Sequence, residues 1–272
     1  MGYLFEILNL TGHLKRERMS NLSAIGFDID SEEEFYILAK KAYAKASSIK
    51  TDKGTYFQYS DPSGAELWIQ SNTKHELIGV NPYYKGISKR TVCLIANIDR
   101  EISALDGAFH SWADPTEPGN PESGAYPFVF DVPNHKSLGS IKFPQSIEIQ
   151  LSAFAQDIDY YENEKAFEQG QEGEQKWAAQ SFVPSGLFSS NANLDLSLAV
   201  AAGLISGTIK ESDKKRNDLT GQEFQWMLVD TLGGEIDVVA DLELFSTDPQ
   251  VGGLIQGQFW LTGQLLKLPE LV

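Results

Sequence analysis

Two alternating runs near the end of the chain constrain its fold more than any other feature. In Ile236–Phe245 apolar residues occupy every second position, and Leu254–Leu265 alternates in the same way. Because successive side chains of a strand point to opposite sides, both runs predict strands with one face in a core. Gly233 and Gly234 lie just before the first run and supply the positive φ that a tight hairpin needs. We therefore predict antiparallel β-structure for this part of the chain.

The N-terminal part of the chain predicts one helix among several strands. Ser31 and Glu34 have the spacing of a capping box. The apolar stripe of the helix after them consists of Phe35, Leu38, Ala39, Ala42 and Ala46. Strands are predicted at Leu22–Ile29, Gly54–Tyr59, Ala65–Gln70 and Glu76–Val80. These elements indicate an α+β fold with predominantly antiparallel β-structure and an N-terminal module in the order β-α-β-β-β.

An Asp-Pro-Ser-Gly turn at Asp61–Gly64 separates two of these strands. The element order, this turn and the Glu66-Leu67 strand after it resemble the module of the glyoxalase (vicinal oxygen chelate) family over residues 21–80. The resemblance implies a metal-binding glutamate at the position of Glu66. Leu22–Ile29 contains no histidine or glutamate that would serve as the other ligand. We therefore expect no metal or other cofactor, and an unrelated α+β sheet remains the alternative.

Changes in regularity along the chain predict its domain organisation. In residues 1–18 the basic residues follow the apolar stretch, which is the wrong order for a secretory signal. Because the strand pattern begins just after Met19, we expect residues 1–18 to be a non-native extension, with a short amphipathic helix that docks on the domain as the alternative. Gly257 and Gly263 lie on the apolar face of the last strand, where a barrel strand must bend, and the pattern is similar to an OB-type barrel. The predicted units are residues 19–90 as an α/β module, 91–190 as an irregular β-rich middle section, and 191–272 as a small antiparallel barrel or sandwich.

The composition excludes several classes of function. With 38 acidic and 22 basic residues the net charge is −16, which argues against DNA or RNA as a partner. No run of about 18 apolar residues is present, so we expect no membrane-spanning helix. Cys93 is the one cysteine. It cannot form an intrachain disulfide, and we predict a buried, inert thiol in a cytoplasmic protein of bacterial type.

Candidate catalytic residues are suggested by residue type alone, because the chain carries no G-x-S-x-G, P-loop or G-x-G-x-x-G motif. His110 is the first choice for a general base, because histidine titrates near neutral pH. Glu66 and Tyr84 complete a candidate set for a metal-independent lyase, isomerase or hydrolase. The pocket of such an enzyme would lie between the N-terminal and C-terminal modules.

The last predicted strand carries a face whose composition fits a contact surface. Gln256, Gln258 and Trp260 share this face, and Trp226 is a further candidate for the binding surface. Tryptophan among uncharged polar residues suits protein contact, whereas a groove for single-stranded nucleic acid would need basic residues. We therefore predict a binding or interaction protein that has a protein partner or forms a homo-oligomer, with a small-molecule enzyme as the alternative. We expect the middle section or a second subunit to cover this face.

Overall fold

The computed structural model describes residues 21–29, 31–171, 176–185 and 199–267. It is 50% strand and 13% helix, so the predicted α+β class with mostly β-structure is confirmed. The extension expected at residues 1–18 lies outside the described residues. None of the helices that the described residues form is long and apolar enough to cross a membrane.

The helices and strands follow one another with short connections along most of the described chain. The helices are α1 (Glu32–Tyr43), α2 (Glu164–Gly170) and the short 3₁₀-helices Pro121–Ser123, His135–Ser137 and Leu242–Leu244. The strands are β1 (Ser47–Lys50), β2 (Gly54–Ser60), β3 (Ala65–Asn72), β4 (Leu77–Tyr84), β5 (Arg90–Asp99), β6 (Gly107–Ala113), β7 (Pro127–Asp131), β8 (Gln145–Tyr161), β9 (Ser181–Pro184), β10 (Ala202–Arg216), β11 (Glu223–Thr231), β12 (Gly234–Ala240) and β13 (Leu254–Leu265).

The helix predicted after Ser31 is confirmed as α1. The Ser31 side chain accepts a hydrogen bond from the Glu34 backbone N–H at 3.2 Å, which satisfies one of the unpaired donors of the first turn. Leu38, Ala39 and Ala42 are buried on the predicted stripe. Helical spacing and a capping side chain therefore agree, and the helix begins where the sequence predicts it.

The strand predicted at Leu22–Ile29 is wrong. Residues 21–26 form a helical turn, in which the Gly26 N–H donates to Ser23 O at 2.9 Å and the Phe27 N–H donates to Leu22 O at 2.9 Å. Gly26 ends the turn with a φ of 74°, a conformation that glycine adopts at little cost. A short apolar run that is buried on all sides has no period of its own, so its sequence does not distinguish a strand from a helical turn.

The first four strands form an antiparallel sheet in the order β1-β2-β3-β4, which we call the small sheet. The turn predicted between β2 and β3 is confirmed. The Ser63 N–H and hydroxyl donate to Asp61 Oδ1 at 3.0 and 2.7 Å, and Gly64 has a φ of 97°. β1 has the sequence Ser-Ser-Ile-Lys, in which no alternation predicts a strand.

β8 and β13 are long strands that pair with each other along most of their length. The second edge of β8 carries β5 at residues 145–149 and β12 at residues 152–154. The second edge of β13 carries β10 at residues 254–260 and β7 at Thr262. Each of the two long strands therefore pairs with two further strands, end to end, on its outer edge.

These pairings close two rings of strands that share β8 and β13, and we call the two rings together the barrel. β10, β11 and β12 close one ring, and β5, β6 and β7 close the other. The β12–β8 and β7–β13 pairings are parallel, and the other pairings between described strands are antiparallel. Inward side chains of both rings form one apolar cluster, which includes Phe109, Phe130, Ile149, Val238 and Phe259.

The middle section is more regular than its sequence predicts. β8 runs as one strand from Gln145 to Tyr161 through this section, and its side chains alternate between the core and the outer side up to its C-terminal end. Ile158 and Tyr160 pack against the core, so the alternation persists there. α2 follows, and residues 172–175 lie outside the described residues.

The hairpin predicted between β11 and β12 is confirmed, with φ values of 80° at Gly233 and 118° at Gly234. The strand predicted at Ile236–Phe245 ends early, at Ala240. The Asp241 side chain accepts a hydrogen bond from the Glu243 N–H at 2.9 Å and caps a 3₁₀-helix. The predicted extension to Phe245 is therefore wrong, because this local hydrogen bond replaces strand pairing.

The small sheet and α1 cover the outer side of β8, β11 and β12, which we call the covered side of the barrel. Side chains from the barrel and from the small sheet share one buried apolar cluster there. Its members include Leu38, Leu67, Tyr84, Phe154, Trp226, Leu228 and Val239.

Candidate functional site

Glu66 is buried in β3 and its carboxylate is satisfied by neighbouring side chains of the small sheet. Oε1 accepts hydrogen bonds from Gln58 Nε2 and Ser60 Oγ, and Oε2 accepts one from Trp68 Nε1, each at 3.0 Å. Burial raises the pKa of this carboxyl, while the three hydrogen bonds lower it. Among the described residues no group of three His, Cys, Asp or Glu side chains is placed to hold a metal ion.

The three candidate catalytic residues do not come together. The register of β3 and β4 places Glu66 and Tyr84 on opposite sides of the small sheet. Tyr84 is buried against Phe224 and Trp226, with ring centroids 5.9 and 6.5 Å away, and burial raises the pKa of its hydroxyl. His110 lies on β6, in the other sheet. The structure therefore forms no common pocket from these three side chains.

His110 and Cys93 lie on the outer side of the β5–β6 pair. Both ring nitrogens of His110 are shielded from solvent and have no hydrogen-bond partner among the described residues, and burial lowers the pKa of the imidazole. Cys93 is buried, as predicted, and burial raises the pKa of its thiol. These surroundings favour an uncharged imidazole and a protonated thiol, which is a poor nucleophile.

Trp226 is only 6% exposed and belongs to the covered side. Its Nε1 donates a hydrogen bond to Asp237 Oδ1 at 2.9 Å. Asp237 is fully buried and accepts three further hydrogen bonds, from Ile87 N at 3.1 Å, Ser88 N at 2.9 Å and Gln150 Nε2 at 2.7 Å. Trp226 is therefore not part of an exposed surface, and the Asp237 carboxylate links β12 to β8 and to the β4–β5 connection.

The other predicted surface residues, Gln256, Gln258 and Trp260, share the outer side of β13. The outward side chains of β9, β10, β13 and the end of β8 are continuous, and we call this surface the open face. The register arranges it in three rows across the strands. The rows are Thr208, Leu254 and Tyr161; then Ser181, Ser206, Gln256 and Asp159; then Val183, Leu204, Gln258 and Asp157.

The chemistry of the open face changes from apolar to acidic across the strands. Val183 and Leu204 are register partners and are 38% and 41% exposed. Gln258 follows on β13, and its backbone N–H donates to Asp157 Oδ1 at 2.7 Å. Asp157 and Asp159 are exposed, and no described base forms an ion pair with either. The face therefore offers an apolar pair, amide groups and carboxylates that form no ion pair with a described base, side by side.

A cavity of about 410 Å³ opens beside the first row of the open face. Its volume falls in the range of small-molecule sites. One carboxylate, one amide and one hydroxyl side chain line it, so it suits a small cationic or polar group. The lining residues are Glu164, Ala178, Ala179, Gln180, Thr208, Gly252 and Leu254.

Trp260 lies at the other end of the open face and is half-buried by the chain itself. Its Nε1 donates to Asp131 Oδ2 at 2.7 Å, and Asp131 Oδ1 is paired with Arg100 Nη2 at 2.8 Å. Burial raises the pKa of Asp131, against the lowering effect of Arg100. The indole also contacts Phe154, with ring centroids 5.1 Å apart, and packs beside Ala199. This end of the face is therefore partly covered, and the row of Val183 and Leu204 is its exposed part.

The sequence does not identify Val183, Leu204 or the cavity. Valine and leucine are most often core residues, so their apolar character alone predicts burial. Their outward direction follows from the register of β9 on β10, which is a long-range property. The cavity combines Glu164 with Thr208 and Gly252, which are distant in the chain.

The resemblances to a glyoxalase module at residues 21–80 and to an OB-type barrel rest on sequence pattern alone and stay predictions, as does the cytoplasmic location. Local chemistry, above all at the open face and its cavity, is therefore the basis for inferring what the protein does. Protein-family models, curated proteins and solved structures gave no match to the chain.

Proposed function

We propose that this chain is a binding or interaction protein that contacts a protein partner through the open face. The observation that carries the proposal is the exposed apolar pair Val183 and Leu204, which lies beside Gln258 on adjacent strands. Covering apolar surface contributes about 25 cal/mol per Å², and neighbouring amides provide hydrogen bonds that fix the register of a partner.

The position of this pair on a sheet supports the proposal. β10 pairs with β9, β11 and β13, so the backbone beneath Leu204 is held on both edges. A surface that is ordered before binding loses little conformational entropy when a partner contacts it. Trp260 borders the same face and adds aromatic surface of the kind that is enriched at interfaces.

The test compares cross-linked pull-downs of wild type, Leu204→Ser and Ile102→Ser. Ile102 is 44% exposed and lies on the β5–β6 connection, outside the strands that form the open face, so it is a matched control. We expect a partner that is retained by wild type and Ile102→Ser and lost by Leu204→Ser, with unchanged thermal midpoints. Identical captured proteins in all three samples would contradict the proposal, as would a partner that Ile102→Ser also loses.

A second candidate is small-molecule binding, favoured by the cavity of about 410 Å³. An enzyme built on it would use Glu164 and Thr208 and not the set Glu66, His110 and Tyr84. A thermal-shift screen with metabolites tests this candidate, because a ligand that binds the folded state raises the unfolding midpoint. A hit whose shift disappears in Thr208→Val supports the cavity. A hit that shifts this variant equally places the ligand elsewhere.

A further inference from the structure

Resting on the proposed function, we infer that the partner presents an extended segment with an apolar residue and, four positions later, a lysine or arginine. The apolar side chain covers Val183 and Leu204. The basic side chain enters the cavity beside Glu164 and close to Asp159. This assigns the partner a chemical pattern and not only a contact area.

The charges of the open face favour a basic occupant. Asp157, Asp159 and Glu164 have no ion pair with a described base. Acidic residues nearby do have such partners: Asp230 lies 3.8 Å from Lys210 Nζ, and the described pairs also include Asp248 with Lys214. These three carboxylates therefore differ from the neighbouring acidic residues in forming no ion pair with a described base, and a partner with a basic side chain supplies one.

The spacing of the pattern follows from the rows of the face. Thr208 lines the cavity and Leu204 carries the apolar row, and the two are four residues apart on β10. Four residues of a strand span about 13 Å. Between these two positions Ser206 is fully buried and its hydroxyl donates to Ala178 O at 2.7 Å, so the segment follows the neighbouring strand β13. It spans the same distance in four residues, and both side chains then point to the same side. Its middle residue lies above Gln256, where a polar side chain fits.

Two other occupants are less compatible with the same surface. A second copy of this chain would bring another net charge of −16 and the same unpaired carboxylates to the contact, which is electrostatically unfavourable. A small cation alone would occupy the cavity but would leave Val183 and Leu204 exposed. Both alternatives give distinct results in the experiment below.

The test uses blocked nine-residue peptides of serine and threonine with one leucine and, four positions later, one lysine. Matched peptides place glutamate at the second position, or place lysine only two positions after leucine. Each peptide is titrated into the full chain and followed by backbone amide chemical shifts. We expect the first peptide to shift resonances around Leu204, Gln258 and Glu164, and to bind more tightly than the other two.

Charge variants test the basic half of the pattern. In Asp159→Asn/Glu164→Gln we expect about fivefold weaker binding of the lysine peptide, the size of an exposed ion-pair contribution of about 1 kcal/mol. The control Glu101→Gln/Glu122→Gln removes the same net charge from exposed positions outside the face and should leave the affinity unchanged. Equal weakening in both double variants would show a general charge effect and overturn the inference.

The remaining outcomes separate the inference from the proposed function. Equal binding of the glutamate peptide, or lysine amide alone shifting the cavity as strongly as the peptide, overturns the inference. Concentration-dependent dimerisation that Leu204→Ser abolishes assigns the face to a second copy and overturns it as well. If no peptide binds, the inference fails. The proposed function then stands or falls with the Leu204→Ser pull-down, which does not depend on the peptides.

Discussion

The covered side and the open face of the barrel differ in how their outward apolar and acidic side chains are shielded from solvent. On the covered side the small sheet buries Trp226, and Asp237 accepts four hydrogen bonds from surrounding donors. On the open face Val183 and Leu204 remain exposed, and Asp159 has no described cation. The difference indicates which polar groups maintain the fold and which are available to a partner.

A buried carboxylate is tolerated on the covered side because its hydrogen bonds replace those that water would make. A buried carboxylate without partners would destabilise the folded state by several kcal/mol, so the neighbouring residues must keep their positions around it. Gly86 illustrates this constraint, because a β-carbon there would collide with the Asp237 carboxylate. The exposed side chains of the open face, such as Val183 and Leu204, are not constrained in this way, and their substitution should act on binding.

The largest effect on stability is expected for Asp237→Asn. The substitution keeps the shape but replaces one acceptor oxygen by a donor, which then faces donors from Ser88 and Gln150. We expect a loss of about 3 to 5 kcal/mol in the free energy of unfolding, measured by urea denaturation. Asp159→Asn on the open face is the control and should change it by less than about 0.5 kcal/mol. Equal losses would remove the distinction between the two sides.

The buried ring of His135, at the junction of the small sheet and the barrel, should make the stability of the fold depend on pH. The ring is 6% exposed, lies 5.0 Å from the Phe109 ring, and has no hydrogen-bond partner on either nitrogen among the described residues. Burial, together with the neighbouring charges of Lys136 and Arg100, lowers its pKa from 6.5 to about 4, and the Asp99 carboxylate opposes this shift. The folded state therefore favours the neutral imidazole.

The sign of the effect follows from these values. His135 takes up a proton near pH 6.5 in the unfolded chain and only near pH 4 in the folded chain. Its contribution to the free energy of unfolding is therefore complete above pH 6.5 and decreases as the pH falls. We expect His135 to account for about 3 kcal/mol of lost stability at pH 4. Urea midpoints of wild type and His135→Leu at pH 7 and pH 4 measure it. If the variant loses as much stability as wild type, His135 is not the cause.

A smaller effect is expected for Glu66→Gln within the small sheet. The amide retains one acceptor oxygen for Gln58 and Ser60, but its nitrogen then faces the donor Nε1 of Trp68. We expect a loss of about 1 to 2 kcal/mol in the free energy of unfolding. If the chain has an enzymatic activity that this variant abolishes while remaining folded, Glu66 has a chemical role that its hydrogen bonds do not reveal.

The sequence predicts those structural elements that are determined by residues close together in the chain. The cap at Ser31, the turn at Asp61–Gly64, the hairpin at Gly233 and the alternation of β13 are determined by neighbouring residues, and the structure confirms each of them. The alternation also places Gln256 and Gln258 together on one side of β13.

Long-range pairing explains what the sequence does not predict. The rings close only because β8 pairs with β5, β12 and β13, and no local period specifies these partners. The burial of Trp226 has the same origin. The small sheet covers the outer side of β11, so both sides of this strand are buried and its pattern does not show which residues face solvent. The outward direction of Leu204 likewise depends on its partners Val183 and Gln258.

The most direct comparison of the two sides comes from a leucine-to-serine substitution made on each side of the barrel. Leu228 on β11 is 6% exposed beneath the small sheet, whereas Leu204 on β10 is 41% exposed. Leu228→Ser should lower the free energy of unfolding by about 3 kcal/mol, because it leaves a cavity and buries a hydroxyl. Leu204→Ser should change it by less than about 0.5 kcal/mol. If Leu204→Ser lowers the free energy of unfolding by more than about 2 kcal/mol in urea, Leu204 supports the fold. This result would contradict the proposal that the open face is a contact surface.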